Sequence, residues 1–249
     1  MLRIFYNFKP DKNFDLPIGR QVIFKRPIMT PFIDFHTHQD YADSETITIR
    51  NFTQIDWENA SNTEGGTRYS IGIHPWFLTR SNFEKDLKKF SELIDNQCVT
   101  IIGECGLDRL NGEDLAFQTI AFEAQIRLAE SMNKPIVVHC VKAYNELVLI
   151  KKKLNPRVPM IVHGFNQNEN ILKDLIKNGF YISIGAAILR GDSNAAKFMN
   201  QIPLDKIFFE TDDKRLPVNN VYEQAAKIIN VDLAVLKREI YNNFKNITT

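Results

Sequence analysis

FIDFHTH, residues 32–38, is the stretch on which the fold turns. A short apolar run, Phe32 to Phe35, ends in His36, and His38 follows one residue later. In an extended strand residues i and i+2 point the same way, so both imidazoles could reach one ion. Alone, the pair does not separate a metal site from an ordinary strand end.

Outward from this stretch the same pattern recurs. Short β-rich runs at 32–36, 47–52, 69–74, 99–104, 135–139, 160–163, 180–184 and 207–210 alternate with longer amphipathic segments. Most are nearly continuous apolar runs, as in parallel strands covered on both faces. "DLAFQTIAFEAQIRLAESMN" reads as a helix with Leu115, Ile120, Phe122, Ile126 and Leu128 on its apolar stripe, and "ENILKDLIKNG" as one stopped by Asn178-Gly179. Eight strands with intervening helices predict an α/β protein, a (β/α)8 TIM-type barrel over residues 31–249 with a degenerate second β/α unit. A doubly wound open sheet is the alternative that periodicity leaves open. Residues 1–30, aromatic and basic (Phe5, Tyr6, Phe8, Phe14, Phe24), read as an N-terminal extension packed on the barrel.

The five histidines carry most of the chemistry. His36, His74, His139 and His163 each end a predicted strand, and His38 lies just beyond one. In a barrel those ends share one face, where active sites are built. Glu104 closes "VTIIGE" and Asp212 follows "IFFET" in the same relation to their strands. A carboxylate such as Glu104 can bridge two cations through its two oxygens. Four histidines, a bridging glutamate and an aspartate suffice for two divalent ions with positions left for water and substrate. Mixed imidazole and carboxylate donors accept zinc, manganese, nickel or magnesium. Cys105 and Cys140 adjoin proposed ligands, but strand alternation turns them away, which makes them packing residues.

The composition narrows the partners. With 31 Lys and Arg against 30 Asp and Glu, no global positive field draws in nucleic acid, and polyanion binding must rest on a local site. Three cysteines without framework spacing fit a reducing compartment. No apolar run reaches membrane-spanning length and no signal-peptide core is evident, so a cytoplasmic enzyme is expected. No obligate protein partner is evident.

The motifs "FIDFHTHQD", "YSIGIHPW", "IIGECGLD", "PIVVHC", "IVHGF" and "FFETDD", with the tail around Asn243-Phe244, resemble the TatD family of metal-dependent deoxyribonucleases, within the amidohydrolase-type barrels, over roughly residues 32–247. The resemblance implies that His36, His38, Glu104 and Asp212 bind one metal, and that Glu104, His139 and His163 bind a second. Glu104 bridges, and Asp212 orients or deprotonates the attacking water. His74 then becomes a substrate or phosphate contact, or a structural histidine fixing the turn before Pro75. The implied substrate is DNA, single-stranded or at its 3′ end. Three departures bear on that. Val141 stands where many members carry an arginine, with Lys142 next to it as a substitute charge or a solvated one. "GFNQNEN" replaces a more usual Cys-Phe-Ser-Gly segment, and "DKRLPVNN" is short. Hydrolysis of an ester or amide, such as an aminoacyl ester on tRNA or a small metabolite, is therefore the second expectation. A barrel serving only in binding or assembly is the third.

Overall fold

The computed structural model describes residues 30–40, 44–60 and 68–248. The expected N-terminal extension lies, apart from Thr30, outside the described residues. The eight expected runs become β1 (Phe32–Thr37), β2 (Thr46–Phe52), β3 (Arg68–Ile71), β4 (Val99–Asp108), β5 (Ile136–Val141), β6 (Met160–Val162), β7 (Tyr181–Ile184) and β8 (Ile207–Phe209). All neighbours pair in parallel, in sequence order from β1 to β8. A doubly wound sheet would reverse its order at a switch point. Here the last strand instead returns to the first: Asp212 N–H donates to His36 O at 2.9 Å, and His38 N–H donates to Asp212 O at 3.0 Å.

The helices are α1 (Trp57–Ala60), α2 (Phe83–Leu93), α3 (Leu115–Ser131), α4 (Tyr144–Leu154), α5 (Glu169–Lys177), α6 (Asn194–Phe198), α7 (Val218–Ile229) and α8 (Leu233–Thr248). Among the described residues the second unit carries, as expected, only the single turn of α1. Among the described residues no helix is long and apolar enough to cross a membrane.

Side chains close the barrel below the β1–β8 bridge. The Tyr222 hydroxyl of α7 accepts from Ile33 N–H and donates to Ile33 O, both at 3.1 Å. Asp34 accepts from Thr211 N–H at 2.9 Å and lies 2.7 Å from its hydroxyl. Each satisfies buried groups that a longer β8 would otherwise have paired.

Strand β4 extends beyond the expected end at Glu104 to Asp108, and it is buried throughout except at Thr100. Gly103 and Gly106 make this course available, with φ of +122° and +147°. A Cβ on either would come within 2.3 Å of Val137 O or 2.0 Å of His139 O. The β4 backbone thus presses on β5, and Glu104 projects from between the two glycines.

Helix α3 begins where expected, with Asp114 capping Phe117 N–H at 3.0 Å. Its stripe is displaced, however. Ile120 is 57% exposed, whereas Gln118 and Gln125 are buried beside Phe122 and Ile126. Gln125 holds both N–H and C=O of Ile73, at 2.7 and 3.1 Å, and Gln118 does the same for Asp108, at 2.7 and 2.8 Å. Two buried amides therefore fix the ends of the segments that carry His74 and Asp108. Helix α5 stops at Asn178-Gly179 as expected, with Gly179 at φ +73°.

Candidate metal centre

Every sequence-predicted ligand comes to the C-terminal mouth of the barrel around Glu104. Asn51 fixes that residue's backbone, accepting from Glu104 N–H at 2.8 Å and from the Ser70 hydroxyl at 2.9 Å. The carboxylate divides the imidazoles into two sets. Its Oε2 lies 3.3 Å from His36 Nε2 and 3.4 Å from His38 Nε2, with Asp212 Oδ1 at 3.8 and 3.7 Å from the same nitrogens. Its Oε1 lies 2.8 Å from His139 Nδ1, 2.8 Å from His163 Nε2 and 3.0 Å from His74 Nε2.

The far nitrogens determine what these rings can offer. His74 Nδ1 accepts from Trp76 N–H at 3.1 Å, so its lone pair is spent and the ring proton sits on Nε2. Burial pulls the His74 pKa down, which keeps the ring neutral. Distance alone groups His74 with Glu104 and His139 as three donors. In this tautomer, however, His74 presents an N–H to Glu104 rather than a lone pair to an ion. His139 is arranged the opposite way. Its Nε2 meets Asp108 Oδ2 at 3.1 Å, and its Nδ1 faces Glu104. Glu210 Oε1 lies 3.5 Å from His163 Nδ1 and accepts from Gly164 N–H at 2.6 Å. Asp108 is held at a pKa of about 2; burial opposes this, but hydrogen bonds from Trp76, His139, Leu110 and Asn111 outweigh it.

This donor set fits cations. An imidazole lone pair pointed at a carboxylate oxygen would be repelled by it without positive charge between them. Burial lowers the His163 pKa, yet Glu104 and Glu210 on either side raise it well above its ordinary range. The same field favours a divalent ion, which would displace that proton. Buried His36 makes no hydrogen bond through either nitrogen, so its Nε2 is free to ligate. Asp212 adopts φ +55°, a left-handed conformation that an aspartate tolerates at some cost, and its side chain is 36% exposed at the mouth.

Residues 46–249 match the model of the TatD related DNase family. The chain belongs to that family. The class of chemistry follows: it is a metal-dependent hydrolase. An uncharacterized metal-dependent hydrolase of Haemophilus influenzae is 26% identical over 75% of this chain and 82% of its own length. A 3′-5′ ssDNA/RNA exonuclease TatD of Edwardsiella piscicida is 31% identical over 57% of this chain and 56% of its own. The crystal structure of YJJV, a TatD homolog from Escherichia coli, superposes with a TM-score of 0.76 over 89% of this chain and 99% of its own, at 19% identity, which supports the fold. The family match begins at Thr46, so the His36–His38 pair rests on the geometry above.

Other TatD-family expectations fare unevenly. Lys142 sits one residue beyond β5 at φ +51°, exposed at the rim, and its Nζ meets no acidic side chain among the described residues. Arg109 reaches the corner where Val141 replaces an arginine, its Nε donating to Lys142 O at 2.9 Å. It is paired with Glu146, however, and so is not a free phosphate clamp. Cys105 and Cys140 are buried packing residues, as expected, and burial pushes the Cys140 thiol up to about 12. Asp108, Glu210, Asn51 and Trp76 were not singled out by sequence reasoning. Only Glu210 carried a local signal: it lies two residues before Asp212, at a strand end.

Proposed function

We propose that the protein holds two divalent ions and hydrolyses phosphodiester bonds, removing nucleotides from the 3′ end of single-stranded DNA. The observation that carries the reading is the division of Glu104, one oxygen towards His36 and His38 and the other towards His139 and His163. Asp212 completes the first set. Zinc, manganese, nickel and magnesium all suit these donors. When bound, such ions polarise a phosphoryl oxygen and lower the pKa of water. Asp212, exposed at the mouth and able to turn a carboxylate oxygen to solvent, takes the proton of the attacking water. His74 keeps a neutral Nε2–H directed into the centre, where it can donate to Glu104 or to a phosphoryl oxygen. Lys142 supplies a point charge at the rim rather than a bidentate clamp.

The test is laddering of 5′-labelled single-stranded DNA by metal-stripped protein and by protein given magnesium or manganese, with Asp212→Asn as the control. Metal-dependent shortening from the 3′ end, lost in the variant, supports the reading. No cleavage by protein carrying about two ions per chain overturns the DNA substrate. An ester or amide substrate, such as an aminoacyl ester, is the second reading; it is favoured by a net charge of +1 and by the engagement of Arg109 with Glu146.

A further inference from the structure

Trp76 is 51% exposed beside the proposed centre, whereas the other tryptophan, Trp57, is buried at 1%. Leaving half an indole in water forfeits burial worth about 25 cal/mol per Å². Yet this ring is held firmly. Its Nε1 donates to Asp108 Oδ2 at 2.6 Å, and its backbone N–H donates to His74 Nδ1 at 3.1 Å. It stands nearly perpendicular to two imidazoles, at 80° and 5.0 Å from His74 and at 79° and 5.6 Å from His139. The oxygen that anchors the indole also meets His139 Nε2 at 3.1 Å. One carboxylate oxygen therefore ties the ring's position to that of a proposed ligand.

Two further exposed apolar side chains stand on the neighbouring loops. Ile55, after β2, is 73% exposed, and Leu110, after β4, is 60% exposed. Gln54 accepts from His74 N–H at 2.9 Å, and Asp108 accepts from Leu110 N–H at 2.8 Å, so the three loops are tied together. The mouth thus pairs a charged hydrolytic centre with a fixed apolar and aromatic rim. A substrate that alternates phosphates with flat, unpaired rings matches both parts.

We infer that Trp76 is the stacking platform for a nucleobase of single-stranded nucleic acid, placing the adjoining phosphodiester at the Glu104 centre. This inference rests on the phosphodiesterase reading and adds to it a source of strand selectivity. Every base has a π-face, so the platform tolerates sequence. A base inside a duplex is already stacked on both sides and cannot use it.

The test uses metal-stripped full-length protein, where binding is read without turnover. Tryptophan emission is titrated with an oligo(dA) strand and with an abasic strand of equal length; Trp57, being buried, contributes a constant background. Saturable quenching by oligo(dA), absent with the abasic strand, is the expected result. Trp76→Leu should weaken oligo(dA) binding by roughly 5- to 150-fold, measured by anisotropy of a labelled strand, and leave abasic binding unchanged. Trp76→Phe keeps an aromatic face without the indole N–H and should retain most of the affinity. Equal binding of both strands by wild-type protein overturns the platform. So does a Phe variant as defective as the Leu variant, because Trp76 would then act only by holding Asp108. DNA cleavage with the same KM in Trp76→Leu sinks the platform but leaves the nuclease reading standing. Failure of the metal-loaded wild type to bind or cleave DNA sinks both.

Discussion

The two halves of the centre are built differently. On the β4–β6 side, His139 is buried and the His163 side chain is only 9% exposed, and each faces a carboxylate at its far nitrogen, Asp108 at 3.1 Å and Glu210 at 3.5 Å. On the β1–β8 side, His36 makes no side-chain hydrogen bond, and the side chains of His38 and Asp212 are 34% and 36% exposed. That half is positioned by backbone instead, through the paired peptides of His36, His38 and Asp212 that close the barrel. The contrast teaches that the chain backs one of the two proposed ion positions with outer carboxylates. It leaves the other open to solvent, where water and substrate must enter.

Removing the group common to both halves should have the largest effect. Glu104→Gln is expected to take the protein from about two ions per chain to fewer than one and to abolish hydrolysis, as measured by elemental analysis alongside turnover. Retention of both ions would show that the halves are independent sites. Asp212→Asn comes next: kcat should fall roughly 10²- to 10⁴-fold while the His139–His163 ion stays bound. Asp108→Asn and Glu210→Gln should each weaken one ion about 10- to 100-fold and spare the other, as read by equilibrium dialysis. Equal weakening of both ions would erase the distinction between the halves.

The seam of the open half can be tested by stability. Tyr222→Phe leaves Ile33 N–H and C=O without their partner and should cost about 1–3 kcal/mol in urea unfolding. A change within error would mean that the two backbone closure bonds suffice. The smallest effect belongs to a control remote from both halves. Lys151 Nζ donates to Gly179 O at 2.8 Å, and burial together with nearby Lys206 depresses its pKa to about 8. Because the folded value lies below the unfolded one, the unfolded chain binds more protons between about pH 8 and 10.5, and stability rises with pH there. Lys151→Met should flatten that rise in thermal melts without altering metal content.

Much of this centre was legible along the chain because its signals are local. An apolar run that stops at an imidazole marks a strand end within five residues, and the barrel brings all such ends to one face. That is why His36, His38, Glu104, His139, His163 and Asp212 could be named together. Signals failed where a residue's role lies in a distant partner. Gln118 and Gln125 look like polar interruptions of an apolar helical stripe until Asp108 and Ile73 are seen against them. Asp108 looks like the start of a loop, because glycines at 103 and 106 disguise the continuation of β4. Trp76 reads as part of a turn and says nothing of which groups hold its ring.

By itself, the sequence determined the number and order of the strands and the set of side chains proposed to bind metal, because hydrophobic period and residue type are properties of short segments. Only the tertiary structure decided how Glu104 divides the histidines, which nitrogen of His74 carries its proton, which carboxylates stand behind His139 and His163, and where an indole lies exposed beside them. Those are matters of hydrogen-bond direction between groups far apart in the chain, and direction exists only once the barrel has closed.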